Sequence, residues 1–348
     1  MISGNKATNT PPHHSSYTSL ETEDLDINSQ QLLELYGEMV LTRILDERIW
    51  ALNRQGRVPL TASCQGNESA SMGLALAGLN DGNCFFFPYY RDMPLKLMVG
   101  LTPLQILMGV TGKAMDPMNG GRQFLSQGAS SKLRMIQGSN VVGSNLCQAT
   151  GYALGSKTLN DNAVVLVSFG DGASSQGECH EAMNFAGIHK LPIVFLCFNN
   201  RLAISVPQEK QSAIPNLADR AAGYNFPGFI VDGTDLLAVY LQTKEAIKRA
   251  RSPDGGPTFL QLNVERLKPH TSDDDHSIYR SASDIEKSML RDPLKRLQTY
   301  LYARGDLNTQ LDQHLHDLAT SQVNDATEQL ESEPWPDPST LMDNLYAS

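Results

Sequence analysis

Val164-Val165-Leu166-Val167-Ser168-Phe169-Gly170-Asp171-Gly172-Ala173 is the stretch that decides the fold, and 26 residues separate its Gly172 from the pair Asn199-Asn200. The run Ala163–Phe169 has the length and apolar continuity of a strand buried on both faces, and so does Ile193–Phe198. A helix over about 177–189 fits between them, giving a strand–helix–strand unit. In an open parallel sheet, ligands collect at the carboxyl ends of the strands. Gly170 and Gly172 let backbone N–H groups approach a phosphate, and the helix N-terminus that follows adds its positive dipole. Asp171 ends one strand and Asn200 ends its neighbour, so one oxygen from each meets at the same edge. A carboxylate and an amide carbonyl form a sparse, all-oxygen set. It leaves positions for diphosphate oxygens and water, which suits the octahedral demand of Mg²⁺. Gly-Asp-Gly alone would be a turn. Its weight comes from the strand–helix–strand context around both ends.

Outward from this unit, apolar residues at Leu32, Leu35, Tyr36, Met39, Val40, Ile44 and Leu45 predict a helix from Ser29 to about Arg54, capped by Ser29 or Asn28. A helix over 67–79 follows, then a strand within 82–92 ending in the polar turn Pro88-Tyr89-Tyr90-Arg91-Asp92. Residues 95–109 read as helical, with Thr102-Pro103 as the start expected of a capped helix, 114–128 as a Gly-rich loop and 145–157 as a helix. Downstream of the central unit come a strand near 228–231, a helix over 235–251 and a strand over 258–265. The alternation predicts an α/β fold, a parallel sheet with helices on both faces. From about 281 the chain reads as a helical C-terminal extension, with helices near 283–303 and 308–331 that end before Pro334, Pro336 and Pro338. Residues 1–28, rich in Thr, Ser, Asn, Pro and His, read as a disordered tail ahead of one domain spanning 29–348.

Composition narrows the function classes. The net charge of −10 argues against nucleic-acid binding, which needs clustered Lys and Arg. No apolar run reaches the roughly 20 residues of a membrane-spanning helix. The five cysteines, Cys64, Cys84, Cys147, Cys179 and Cys197, are odd in number and form no CxxC pair, as expected of reduced, buried thiols. The first 30 residues hold Lys6 but no Arg, and carry Glu21, Glu23, Asp24 and Asp26, unlike a mitochondrial presequence. A cytoplasmic protein is expected. His180-Glu181 does not make a zinc motif, because position 184 is Asn.

The Gly170 to Ala173 and Asn199-Asn200 pattern resembles the diphosphate-binding signature of thiamine-diphosphate enzymes. Further blocks narrow the resemblance to α subunits of 2-oxo acid dehydrogenase E1 components. They are Ser63-Cys64-Gln65-Gly66-Asn67-Glu68, Pro88 to Met93, Gly120-Gly121-Arg122-Gln123, Ala203-Ile204-Ser205-Val206-Pro207, and Arg266 to Asp275 with Tyr279-Arg280. They occur in the right order across about residues 30–345. Within the family, Pro88 to Met93 and Pro269 to Asp275 look most like the branched-chain, 2-oxoisovalerate enzymes.

The resemblance implies the thiamine-diphosphate-binding fold, with thiamine diphosphate and Mg²⁺ as cofactors. It implies oxidative decarboxylation of a small 2-oxo acid, with acyl transfer to the lipoyl group of an E2 acyltransferase. By resemblance, Tyr90 and Arg91 grip the diphosphate, Asp171, Asn200 and the Leu202 carbonyl bind the metal, and Gly170, Gly172 and Ala173 give backbone contacts. Asn140 and Val142 join the cofactor site, and His270 stands at its mouth as a catalytic proton donor to the transferring acyl group. The three aspartates Asp273–Asp275 beside His270 are expected to raise its pKa. The glutamate that acts on the cofactor's aminopyrimidine comes from a separate β subunit in this family. An α₂β₂ heterotetramer is therefore implied.

Some positions depart from the family pattern. After Gly-Gly-Arg-Gln the family continues Met-Pro-x-His with an active-site His, whereas this chain has Phe124-Leu125-Ser126-Gln127. The family's K⁺-binding loop is here Ser139-Asn140-Val141-Val142-Gly143-Ser144-Asn145, which retains only part of the oxygen shell for K⁺. Phe198 stands where some relatives place a phosphate-binding Arg, and Leu202 replaces an aromatic residue. Pyruvate and acetoin dehydrogenase α subunits, and a cofactor-binding paralogue with impaired turnover, stay open as alternatives to the branched-chain reading.

Overall fold

The computed structural model describes residues 13–14, 26–123 and 127–343. The disordered tail expected over residues 1–28 departs from that reading at β1, His13–His14, which pairs with the strand at 228–232, and at 26–28, where Ile27 is buried and Asn28 caps the first helix; its other residues lie outside the described ones. Helix α1 runs Ser29–Arg54 and is entered through a capping box, in which Asn28 and Gln31 satisfy each other's backbone N–H groups. Then follow α2 (Glu68–Asp81), β2 (Cys84–Phe87), α3 (Met93–Met98), α4 (Pro103–Thr111), β3 (Gly128–Ser130), β4 (Met135–Gln137) and α5 (Ser144–Leu159). The central unit is β5 (Val164–Gly170), a 3₁₀ turn Asp171–Ser175, α6 (Gly177–His189) and β6 (Ile193–Asn199). A small hairpin, β7 (Leu202–Ala203) and β8 (Val206–Pro207), precedes β9 (Gly228–Asp232), α7 (Leu236–Arg251) and β10 (Thr258–Asn263). Helices α8 (Ala282–Met289), α9 (Pro293–Arg304) and α10 (Thr309–Ser332) close the chain.

The main sheet has the order β1-β9-β10-β6-β5-β2-β4-β3. Every pairing is parallel except β3 with β4. Strand alternation divides the core into two layers. Val164 and Leu166 of β5, with Val194, Leu196 and Phe198 of β6, face α1, α2, α7 and the C-terminal helices. Val165, Val167 and Phe169, with Phe195 and Cys197, face α5 and α6. Both strands are covered on both sides, which is why they read as unbroken apolar runs rather than alternating ones. Helix α2 lies close over the sheet because Gly78 has no Cβ. One placed there would sit 2.7 Å from Phe86 Cε1 and 2.9 Å from Leu166 Cδ1.

Three boundaries differ from the sequence expectation. The helix expected over 95–109 is two helices, because Gly100 adopts φ +110 between them and Thr102-Pro103 starts a new capped helix. The expected helix near 283–303 breaks where Asp292 caps α9, accepting from the Leu294 N–H ahead of Pro293. Strands β3 and β4 were not anticipated at all.

The C-terminal helices are tied to the first part of the chain by buried polar contacts. Arg43 of α1 donates to Asp292 through Nη1 and Nη2 at 3.0 and 2.8 Å and to Glu68 of α2 through Nε at 2.8 Å. Tyr36 donates to Asp312 of α10 at 2.7 Å.

Candidate active site

The registers bring the carboxyl ends of three central strands level. Gly170 pairs with Phe198, and Asn199 pairs with Asn263. Asp171 and Asn200 thus leave adjacent strands at the same edge. Strand β2 flanks β5 on the other side and delivers the turn Pro88–Asp92 to that edge. A cavity of about 510 Å³ opens there. Gly170, Asp171, Gly172 and Ala173 line it from the first strand end, and Asn200 and Leu202 line it from the second. Tyr90 and Arg91 enter from β2, Asn140 and Val142 from the loop before α5, and His270 from the loop after β10. Every expected cofactor-site residue therefore borders one cavity. Gln127 does not line it, and its neighbours 124–126 lie outside the described residues.

The electrostatics point to a diphosphate and a divalent cation. Arg91, expected as an exposed loop cation in the absence of a ligand, is only 2% exposed. Its Nη1 donates to the Ser63 carbonyl at 2.6 Å and its Nη2 to the His270 carbonyl at 3.1 Å. Arg266 is equally buried; it donates to the Ile204 carbonyl at 2.9 Å and to Tyr279 Oη at 2.7 Å, while its Nε has no partner. Neither guanidinium forms an ion pair among the described residues. Two buried cations with no ion pair are costly unless an anion completes them. Against them stands Asp171, whose carboxyl burial pushes up to about 6. A bound cation would offset that penalty. Asn200 Oδ1 accepts from the Leu202 N–H at 3.2 Å, which shapes the turn presenting both residues. Among the described residues no group of three His, Cys, Asp or Glu could hold a metal. The donor set fits only a metal that takes part of its shell from a bound anion.

His270 overturns one expectation. Its pKa is held down to about 3 rather than raised, by burial first and then by the guanidiniums of Arg91 and Arg266. Their nitrogens lie 3.3 and 3.5 Å from Nδ1. Arginine can only donate, so Nδ1 is the acceptor and the ring proton sits on Nε2. Asp274 does little for the ring, because its Oδ2 is spent on the His270 backbone N–H at 2.7 Å and on Tyr279. Ser272 holds the loop in place: its N–H donates to the Thr61 carbonyl at 2.8 Å and its Oγ accepts from the Thr61 N–H at 3.2 Å.

Residues that the sequence reading did not single out support the site. Asp46 of α1 is buried and accepts from Ser63 Oγ, the Cys64 N–H and Gln65 Nε2 at 2.7 to 3.0 Å. That fixes the Ser63 carbonyl that holds Arg91. Lys96 of α3 lines the cavity although it is 3% exposed, and burial lowers its ammonium to about 8. Its only sequence signal is a charge inside the apolar run Leu95-Lys96-Leu97. Cys147 also departs from expectation, being exposed while the other four cysteines are buried.

Fold and site together define an α/β protein with a polar cavity at the carboxyl edge of a parallel sheet, bordered by a buried carboxyl and a buried guanidinium. Residues 36–339 match the family model described as dehydrogenase E1 component. The chain belongs to that family. It is 42% identical over 323 residues to the 2-oxoisovalerate dehydrogenase subunit alpha of Bacillus subtilis, covering 93% of this chain and 97% of that one. It is 37% identical over 290 residues to the 3-methyl-2-oxobutanoate dehydrogenase subunit alpha of Mycobacterium tuberculosis, covering 83% and 76%. With the pyruvate dehydrogenase E1 component subunit alpha of Staphylococcus epidermidis it shares 36% identity over 327 residues, covering 93% and 85%.

Proposed function

We propose that this chain is the α subunit of a 2-oxo acid dehydrogenase E1 component, acting on a branched-chain 2-oxo acid and passing the acyl group to the lipoyl group of an E2 acyltransferase. The observation that carries this reading is the pair of buried guanidiniums beside the buried Asp171 carboxyl. Arg91 and Tyr90 would hold the diphosphate of thiamine diphosphate. Asp171, Asn200 and the Leu202 carbonyl would hold Mg²⁺, and the backbone of Gly170, Gly172 and Ala173 would face the phosphates. Asn140 and Val142 would border the rest of the cofactor. When bound, thiamine diphosphate supplies the electron sink for decarboxylation. This chain's part is to bind, orient and shield. His270, which lines the cavity with a neutral ring protonated on Nε2, would act there as a hydrogen-bond donor toward the transferring acyl group.

The other end of the cavity is apolar, with Ile49, Leu60, Met93, Ile106 and Val110 lining it, in keeping with an aliphatic acyl chain. The resemblance implies a β subunit in an α₂β₂ assembly, and the acids available are consistent with it. No Glu lines the cavity among the described residues, and its only carboxylates are Asp46 and Asp171. Asp46 is engaged by three donors and Asp171 is assigned to the metal. The carboxyl at the aminopyrimidine would then come from the β subunit. Free thiols throughout the chain accord with a cytoplasmic enzyme. Among the described residues no helix is long and apolar enough to cross a membrane.

The test is co-expression with a candidate β subunit and assay of 2-oxoisovalerate, 2-oxoisocaproate and pyruvate, with and without thiamine diphosphate and Mg²⁺. Cofactor-dependent turnover fastest on the branched substrates is the expected result. Saturable cofactor binding without turnover on any of the three would overturn the enzyme reading, and a preference for pyruvate would move the substrate.

A further inference from the structure

The turn that presents Asn200 and Leu202 is built from two residues in an uncomfortable conformation. Arg201 has φ +67, and Ile204, a β-branched residue, has φ +54. Side chains of this kind rarely adopt the left-handed region, and such strain persists only where surrounding contacts over-determine it. Two consecutive residues after β10 supply those contacts. Arg266 holds the Ile204 carbonyl at 2.9 Å, and Glu265 holds the Arg201 side chain. The Glu265 contact involves both carboxylate oxygens, at 3.0 and 3.1 Å from Arg201 Nη2.

Glu265 is no ordinary surface partner. Its side chain is 4% exposed, against 60% for Arg201. It also accepts from Ser288 Oγ at 2.9 Å and pairs with Arg291 Nε at 3.1 Å. Its backbone is fixed too: Gly66, at φ +96, brings its Cα so close that a Cβ there would lie 2.3 Å from the Glu265 carbonyl oxygen. An exposed ion pair usually contributes little. Here one partner is an immobile carboxylate already fixed by two other groups, so Arg201 gives up the freedom of a single side chain. The rest of the turn is pinned on the opposite side: the Arg201 N–H donates to Asn199 Oδ1 at 2.9 Å and the Arg201 carbonyl accepts from the Gln208 N–H at 3.0 Å.

We propose that Glu265 is a positioning residue for the metal site: through Arg201 it clamps the strained turn and so fixes the Asn200 and Leu202 oxygens before the cation arrives. A site held in place ahead of binding avoids the ordering cost that a loose one incurs. The inference rests on the metal assignment under Proposed function.

The experiment measures Mg²⁺ affinity at saturating thiamine diphosphate on the full-length protein with its β partner, by calorimetry, beside the melting temperature without cofactor. The variants are Arg201→Met, Arg201→Lys and Glu265→Gln. Arg201→Met keeps the Cβ, and with it the backbone cost, while removing only the pair. Arg201→Met and Glu265→Gln are expected to weaken Mg²⁺ binding by about tenfold, with Arg201→Lys recovering to within about threefold of the original protein. Because Arg201 is mostly exposed, the cofactor-free melting temperature of Arg201→Met should stay where it was, and a purely structural ion pair would move that temperature instead. Equal Mg²⁺ affinity in Arg201→Met and the unmodified protein overturns the clamp, even if Glu265→Gln fails to fold. Absence of any Mg²⁺-dependent cofactor binding in the unmodified protein overturns the metal assignment, and the clamp with it.

Discussion

Replacing Arg91 by methionine separates binding from folding in a way few active-site changes do. The guanidinium donates to the carbonyls of Ser63 and His270 at 2.6 and 3.1 Å. Leaving two buried carbonyls unpaired costs about 1–3 kcal/mol each. Removing a buried charge without a carboxylate partner returns a penalty of several kcal/mol. The two effects have opposite signs and similar size, so the cofactor-free protein should melt within about 5 °C of the original. Binding has no such compensation. A bidentate, charge-assisted contact to phosphate contributes about 3 kcal/mol, a factor of roughly 100 in affinity. At a thiamine diphosphate concentration a thousand times the original dissociation constant, ligand linkage stabilises the folded state by about 4 kcal/mol, and a hundredfold loss reduces this to about 1.4 kcal/mol. For a chain of this size the cofactor-induced rise in melting temperature should shrink from about 8 °C to about 3 °C. Differential scanning fluorimetry with and without thiamine diphosphate and Mg²⁺ reads both quantities. An unchanged cofactor-induced shift would remove Arg91 from the diphosphate site. A collapse of the cofactor-free melting temperature by more than about 10 °C would refute the balance of opposing terms.

Other outcomes follow from the packing and the site. Gly78→Ala, which drives a Cβ against the Phe86 ring, should cost about 1–3 kcal/mol in urea denaturation without changing cofactor affinity. Arg43→Ala leaves the buried Glu68 and Asp292 without their cation and should cost about 3–5 kcal/mol by the same measurement. In the cofactor-free protein, nitrogen-15 spectra should show His270 as the neutral Nε2–H form from pH 5 to 8 with no titration. The unfolded chain takes up that proton near its ordinary value of about 6.5, while the folded chain refuses it until about 3. This residue therefore removes stability as the pH falls below about 6.5. A His270 resonance that titrates near neutrality would contradict the role given to Arg91 and Arg266.

The sequence was most legible where one physical signal dominates. The 3.6-residue spacing and capping box define α1 from Ser29 to Arg54, the span expected. Strands β5 and β6, apolar on both faces, were unmistakable for the same reason that they are central. Strands β3 and β4 are three residues each, and β4 meets β2 through the single pair Phe86–Met135, so nothing in their composition marks them. The site was legible as residue types at strand ends, because parallel topology alone gathers Asp171 and Asn200. What could not be read was environment. The burial of Arg91 depends on Asp46 and Ser63 of other elements. The low pKa of His270 depends first on its burial, then on a guanidinium 179 residues away and another four residues earlier. The aspartates adjacent in sequence point elsewhere, so proximity along the chain gave the wrong sign.

The charge of the whole chain and the charge of its cavity run in opposite directions. There are 38 acidic against 28 basic residues overall. Around the cavity the only carboxylates are Asp46 and Asp171, and Arg91 and Lys96 oppose them, with Arg266 directly behind His270. Asp46 is consumed by its three donors, so at the strand ends the guanidiniums outweigh the remaining Asp171 carboxyl. A diphosphate and a 2-oxo carboxylate are both anions, and a low-dielectric cleft of one sign draws them in while the acidic exterior does not compete for them. The same arrangement bears on the proposal that the aminopyrimidine acid belongs to a β subunit. A further free carboxylate beside Arg91 would pair with the guanidinium and cancel the field on which cofactor binding depends. On the proposed reading, an acid carried by a second subunit would stay apart from the guanidinium until the cofactor is bound.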